Sequence, residues 1–556
     1  MNTVGFLAQA VSLNALDLSV FGLYMLATVV LGFWVARHAR SRPSDYFLGE
    51  RKLPWYVVGA SMVSTDISSE TFIANVGIAY LYGMAAATSG WQAWITYSIL
   101  ILVFLPYYVR TGLYTMPQFL ERRYNTACRY LFSFSLIVGY IVALLAGSLY
   151  AGGLALQSIF GLNIAATQAG NIRWAIVFFA VVTGTYTIYG GLKSAAWTDF
   201  LQMLVLLLGG IVLPILAVHK AGGLVLLAKE YPAKFHVFLP PTNEQFPWTG
   251  VFTAFITVGL WYNCTSQHMV QRVLAARDEW HARMGVVTAG FLRLVTPLIF
   301  VLPGIAAYKL FPELQTYKKA DQAYLLLVKT LIPTGLKGLV LAGMAAALMS
   351  TVSTVLNSTA TLLTIDFYKK LWRPAAGDRE QVIFGQVIGT CALIASMWVA
   401  FCFIASPEAL FRLVQRIFFW LAPPFAVVFL LGLLWRRANA VAAVVTILSG
   451  FAFRAVLEFV IFERVAALRA YKSAYQHGAI VTWAWCIAVM AVVSLATAPP
   501  AEEKTRGIIW NRSFLNLPPD ERAKYTGWKD FRIWWALFVL AILAVYAFFF
   551  WFQFLR

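Results

Sequence analysis

Three polar stretches interrupt apolar segments of this 556-residue sequence, and each carries groups able to hold an ion or a small solute. The first is Ser61-Met62-Val63-Ser64-Thr65-Asp66-Ile67-Ser68-Ser69-Glu70-Thr71. The second is Trp261-Tyr262-Asn263-Cys264-Thr265-Ser266-Gln267. The third is Ala346-Ala347-Leu348-Met349-Ser350-Thr351-Val352-Ser353-Thr354, continued by Asn357, Ser358, Thr359 and Thr361. Ser350, Ser353, Thr354, Asn357 and Ser358 recur at three- and four-residue spacing and share one helix face. A hard monovalent cation wants several neutral oxygens, which hydroxyls together with the carbonyls of a broken helix supply. Two plainer readings stand beside this one. Ser and Thr often bond back to carbonyls of their own helix, and small residues can form a helix-packing seam.

Single polar residues inside apolar spans add to the set. Gln415 offers both donor and acceptor, which a membrane core tolerates when they are used. Arg293 offers a planar fork suited to a carboxylate or to adjacent hydroxyls. Asp66, Glu70 and His268 imitate a catalytic constellation, yet no HExxH, GxSxG or paired-His spacing accompanies them, so no enzyme is expected. The sequence lacks a GxxxxGK[ST] loop, which leaves an ion gradient as the natural energy source. The five cysteines lie far apart and read as buried thiols.

The elements that must position these groups are membrane helices. Hydrophobic residues make up 60% of the chain and charged residues 12%, against about 25% charged in soluble domains. About fourteen apolar stretches can cross a bilayer as helices: 16 to 36, 54 to 82, 88 to 109, 129 to 158, 174 to 191, 194 to 218, 248 to 268, 284 to 308, 336 to 368, 381 to 404, 408 to 434, 438 to 460, 478 to 497 and 533 to 553. The polar runs at 61–71 and 261–267 break two of them at comparable depth. Matching interruptions predict an inverted repeat with solute and ion bound where the helices unwind. Placing both termini outside puts 26 Lys and Arg on the cytoplasmic side against 13 opposite, Arg272 being counted in a cytoplasmic loop. The net charge of +19 is spread between spans, so no nucleic-acid partner is expected. The organisation read from this pattern is an extra helix and loop at 1–53, a first repeat at 54–218, an outside loop at 219–247, a second repeat at 248–434, and three further helices at 435–556 with a cytoplasmic loop near 498–532.

Five motifs carry a resemblance to a known family: Asp45-Tyr46-Phe47-Leu48-Gly49; Tyr114-Thr115-Met116-Pro117-Gln118-Phe119-Leu120-Glu121-Arg122-Arg123; Tyr189-Gly190-Gly191-Leu192-Lys193-Ser194-Ala195-Ala196-Trp197-Thr198-Asp199; Gln271-Arg272-Val273-Leu274-Ala275-Ala276-Arg277; and Leu302-Pro303-Gly304-Ile305-Ala306-Ala307-Tyr308. Over roughly residues 16 to 460 the chain resembles the sodium/solute symporter family, closest to its sodium/glucose cotransporter branch. The resemblance implies an all-α leucine-transporter-type core of two inverted five-helix repeats, in a plasma membrane of bacterial inner-membrane type. It implies a shared sodium site from Ser64, Ile67, Ala347, Ser350 and Thr351, and a second sodium at Asp199, Ser353 and Thr354. Asp199 as a helix cap is the alternative for the latter.

By the same resemblance the solute pocket maps to Thr71, Gly90, Gly259, Tyr262, Arg293 and Gln415, with Glu70 and Asp66 beside it. Glycine at 90 and 259 removes two polar contacts of the sugar-transporting members. The expected partners are sodium, the bilayer and a small polar solute. A sugar or polyol is the first reading of that solute, and a carboxylate or amino acid the alternative, drawn from Asp66 and Arg293. A transport-like sensor or membrane-embedded enzyme is the distant alternative.

Overall fold

The computed structural model describes residues 13–555 apart from 38–41, 68, 161–164, 166, 315–319, 321, 406–409 and 466–474. Side chains at 69–73, 158–160, 254–255, 405, 410–415 and 475 also fall outside the description. Among the described residues the chain is helical, its extended pairing limited to two isolated bridges.

Among the described residues, eleven helices are long and apolar enough to cross a membrane. One of them, α4 (Gln168–Lys220), spans 53 residues, which at 1.5 Å per residue is about 80 Å and far more than a bilayer. It turns back at Gly191, where φ is 59° and ψ −152°. The Gln202 amide consequently lies 3.5 Å from the Tyr186 hydroxyl, a contact that residues sixteen apart on a straight helix cannot make. Two crossings result. Two more are helices too short to qualify because they break, which brings the architecture to the expected fourteen.

The first broken crossing consists of α2 (Trp55–Asp66) and α3 (Ser69–Tyr82), with Ile67 extended between them at φ −91°, ψ 99°. The second starts at α5 (Trp248–Gly259), widens through a π-turn at Leu260–Thr265, becomes extended at Ser266, and resumes as α6 (Gln267–Leu274). Pro54 and Pro247 occupy the N-cap positions of α2 and α5. A proline lacks the N–H that would be unpaired there. The two crossings are tied at one end: Leu53 N–H donates to the Ala275 carbonyl at 3.0 Å, and Arg277 N–H to the Leu53 carbonyl at 3.1 Å.

Between them runs α8 (Leu336–Leu362), continued by a wide turn to Trp372. In the apolar 18-residue stretch of Leu336–Trp372, 94% of the residues are buried, against 28% in that of α1 (Ala15–Ala36), so the former is the hub and the latter faces lipid. Its small residues allow close approach. A side-chain carbon at Gly209 of α4 would sit 2.6 Å from the Leu339 carbonyl of α8.

Several spans begin or end beyond the limits read from hydropathy, because polar turns add to them. Helix α7 (Glu279–Leu310) starts five residues before the predicted 284, where the Asp278 carboxylate accepts from His281 N–H. Its polar first turn is covered by the 498–532 segment: the Glu521 carboxylate accepts from Trp280 N–H at 2.8 Å, and Trp510 reaches the Leu433 and Leu102 carbonyls at 2.8 and 2.9 Å.

Gly191 is the residue on which the α4 hairpin turns. Its φ/ψ pair belongs to a region that essentially only glycine occupies, and an added carbon would meet the Tyr46 carbonyl oxygen at 2.3 Å. Gly191→Ala is expected to destabilise the protein by about 1–3 kcal/mol or more. The check is a thermal melt of the detergent-purified protein, where the variant should accumulate poorly or unfold several degrees lower. An unchanged melting temperature would contradict this role.

Candidate functional site

The break at Ile67 strips the end of α2 of its helical donors, as any helix C-terminus lacks four. Its carbonyls turn to α8 instead. The Ser350 hydroxyl donates to the Ser64 carbonyl at 2.6 Å and the Thr351 hydroxyl to the Thr65 carbonyl at 3.1 Å. Both hydroxyls also lie 3.1 Å from the Ala347 carbonyl. Three carbonyls and two hydroxyls thus meet at one buried place, where each hydroxyl proton has two acceptors to serve. Ser64 Oγ is buried there without a partner. More oxygens than donors is the composition that fits a monovalent cation. The arrangement brings together Ser64, Ala347, Ser350 and Thr351 of the expected set, while Ile67 contributes the extended residue of the break. Thr65, which the sequence reading did not include, adds a carbonyl. Its signal was available as the next exposed carbonyl at the same helix end.

One helical turn along, the buried Asp199 of α4 collects polar groups from three other helices. Ser61 Oγ donates to Asp199 Oδ2 at 2.5 Å, and Ser353 and Thr354 approach at 3.5 and 3.4 Å. Arg272 of α6 also pairs with this carboxylate, Nη2 to Oδ2 at 3.3 Å. The same guanidinium donates from Nε to Ser61 Oγ at 2.7 Å, from Nη2 to Thr354 Oγ1 and from Nη1 to the His268 carbonyl. Thr65 Oγ1 and Thr354 Oγ1, 2.9 Å apart, join the two clusters. Sequence reasoning counted Arg272 among cytoplasmic loop charges. It is instead fully buried, because α6 is an amphipathic half-helix turned inward by the second break.

On the other side of the first break Asp66 and Arg293 form an ion pair. The Arg293 guanidinium carbon stands 5.9 Å from the centre of the Tyr97 ring. Arg293 Nε is buried without a hydrogen-bond partner, and the buried Tyr97 hydroxyl belongs to the ring beside the same guanidinium. Tyr262, in the π-turn, lies against His268 and Phe418, with ring centres 4.8 and 5.9 Å away. His268 is held from its Nδ1 side by Ser266 at 2.8 Å and Tyr140 at 3.1 Å, leaving buried Nε2 unpartnered. These orphaned donors and acceptors cluster around the two breaks, where a polar molecule would satisfy them.

Of the expected pocket, the structure thus gathers Asp66, Tyr262 and Arg293. Gly90 and Gly259 are packing positions, with an added carbon 2.6 Å from Pro297 and 2.9 Å from Thr96 respectively. The side chains of Glu70, Thr71 and Gln415 lie outside the described residues; their backbones belong to α3 and to α9 (Leu410–Leu434). His268 and Tyr97 are additions to the expected pocket: His268 directly follows the second polar stretch, and Tyr97 stands between Thr96 and Ser98.

A profile of the sodium:solute symporter family matches residues 46–450. The sodium/glucose cotransporter of Vibrio parahaemolyticus is 34% identical over 475 residues, spanning 80% of this chain and 86% of that one. The sodium/myo-inositol cotransporter 2 of Sus scrofa is 30% identical over 551 residues, spanning 90% and 79%. Among solved structures, a Na+-coupled sialic acid symporter in a substrate-bound outward-open state shares the fold, with a TM-score of 0.75, 22% identity, and coverage of 87% of this chain and 99% of that one.

Removing one hydroxyl from the α2–α8 oxygen cluster should weaken cation binding by about 1–2 kcal/mol, roughly five- to thirty-fold in concentration. Thermal protection of the purified protein by Na+ should therefore need about ten times more salt in Ser350→Ala or Thr351→Ala. Protection curves that superimpose on the wild type would remove the assignment.

Proposed function

Because the chain belongs to the sodium:solute symporter family, we propose that its solute is a neutral polyhydroxylated molecule, a sugar or polyol, carried into the cell with sodium. It is a multi-pass membrane transporter that couples sodium to a small polar solute. The observation that carries the solute class is the Asp66–Arg293 pair. Asp66 neutralises Arg293 beside the break, so a carboxylate binding to that arginine would have to displace it or leave a net negative charge buried. A neutral polyol needs neither. Adjacent hydroxyls can accept from guanidinium N–H groups and donate to carboxylate oxygens while the pair stays intact. The names of the relatives, glucose and myo-inositol cotransporters, support the same class.

The proposed sodium ligands are Ser64, Ile67, Ala347, Ser350 and Thr351, with Thr65 added. The proposed solute contacts are Tyr262, Arg293 and Asp66 with Thr71, Glu70 and Gln415. Sodium joins the end of α2 to α8, and the solute lies across the same break, so each orders the segment that the other needs. Tyr262 serves as the inner gate, its ring covering an apolar solute face. In this reading residues 54–218 and 248–434 form the two repeats that rock around the site. The protein lies in the plasma membrane with both termini outside and catalyses no covalent reaction.

The solute classes part company in one variant. Asp66→Asn frees the Arg293 charge, so a neutral solute should lose affinity, about ten-fold or more, because the fork is no longer held. A carboxylate should bind tighter instead. Uptake of sugars, polyols and carboxylates, each with and without sodium, should show a transported neutral solute whose KM rises in this variant. A carboxylate substrate whose KM falls would overturn the proposal.

A further inference from the structure

The Asp199 cluster has the oxygens expected of a second cation site, and they are already engaged. Asp199 Oδ2 accepts from Ser61 and Arg272, Ser61 Oγ accepts from Arg272 Nε, and Thr354 Oγ1 accepts from Arg272 Nη2. Of the ligands expected for a second ion, Asp199 and Thr354 are bonded to the guanidinium, and Ser353 lies 3.5 Å from Asp199 Oδ1. Asp199, Arg272, Ser61, Ser353 and Thr354 are all at 0% exposure. A carboxylate and a guanidinium enclosed together are neutral, and a sodium ion added beside them would leave an uncompensated positive charge deep in the bundle.

We propose that Arg272 takes the place of a second coupling cation at Asp199, so that each transport cycle is driven by one sodium ion, bound between α2 and α8. The guanidinium does at this carboxylate what a bound cation would do. It cancels the charge and gathers oxygens of α2, α4 and α8, and it does so covalently tethered to α6. It also offers a fixed fork, where a sodium ion would take oxygens from all directions. The link between the four helices at this point is therefore permanent and independent of sodium concentration, while the neighbouring cluster of Ser64, Thr65, Ala347, Ser350 and Thr351 remains the place where sodium concentration is sensed. The division follows from chemistry: the site with a carboxylate holds the tethered cation, and the site of neutral oxygens holds the mobile one.

This inference rests on the sodium-coupled reading above, and the test separates the two. Equilibrium binding of radioactive 22Na+ to the purified protein should give one ion per chain in the wild type, with a Hill coefficient near one. Reconstituted in liposomes, the wild type should move one charge per neutral solute by reversal potential. Arg272→Gln leaves Asp199 as a bare buried carboxylate and should raise the count to two ions. The double variant Arg272→Gln with Asp199→Asn should return it to one. Two ions in the wild type, with one lost in Asp199→Asn, would overturn the proposal, as would a count of one in a folded Arg272→Gln protein. Should Arg272→Gln fail to fold, the wild-type count decides alone. A wild type that binds no sodium, or a Ser350→Ala variant with an unaltered isotherm, would instead sink the sodium-site reading itself.

Discussion

Everything in this molecule that handles ions or solute depends on one constraint: a backbone carbonyl inside a bilayer must find a partner. Two crossings stop being helical in mid-membrane, at Ile67 and at Ser266, and the carbonyls released at the first break must be satisfied from outside their own helix. The α8 helix meets that demand with Ser350 and Thr351. In the proposed reading the same carbonyls turn to a sodium ion and the hydroxyl oxygens join them. It also explains why α8 is enclosed on all sides while helices such as α1 are left to lipid.

A second constraint, that charges within the membrane be cancelled, organises the rest. Asp66 is matched by Arg293, Asp199 by Arg272, Asp366 by Arg129, and Glu458 by both Arg416 and Arg454. Three of these pairs join the bundle around the breaks to neighbouring helices. Pairs of this kind contribute little net stability when compared with apolar residues, but leaving one partner alone is costly. They therefore fix which helices pair and in what register more than they add to stability. The Leu53 to Ala275 tether makes the two broken crossings one body at that end, a requirement if they are to move together around a shared site.

Much of the fold was legible in the sequence because hydropathy reports lipid exposure directly. The fourteen crossings and the two breaks follow from apolar runs interrupted by polar ones. What stayed hidden was orientation. Arg272 read as a loop charge because it follows a broken span, and only the inward turn of α6 places it on Asp199. Gly90 and Gly259 read as lost polar contacts, whereas they are where Pro297 and Thr96 press against the backbone. The partnership of Asp66 with Arg293, 227 positions apart by their numbers, has no local signal. The 498–532 segment read as a plain connection, yet Glu521 and Trp510 dock it on helix ends through backbone contacts that no residue type announces.

A sodium gradient by itself should concentrate a neutral polyhydroxylated solute. The direct measurement is uptake of labelled sugars and polyols into proteoliposomes of the purified protein, with membrane potential clamped and the sodium gradient as the one driving force. At least one such solute should accumulate above its outside concentration while the gradient lasts and leave when it is dissipated. Accumulation that is the same with potassium or choline in place of sodium, or that follows a proton gradient instead, would contradict it.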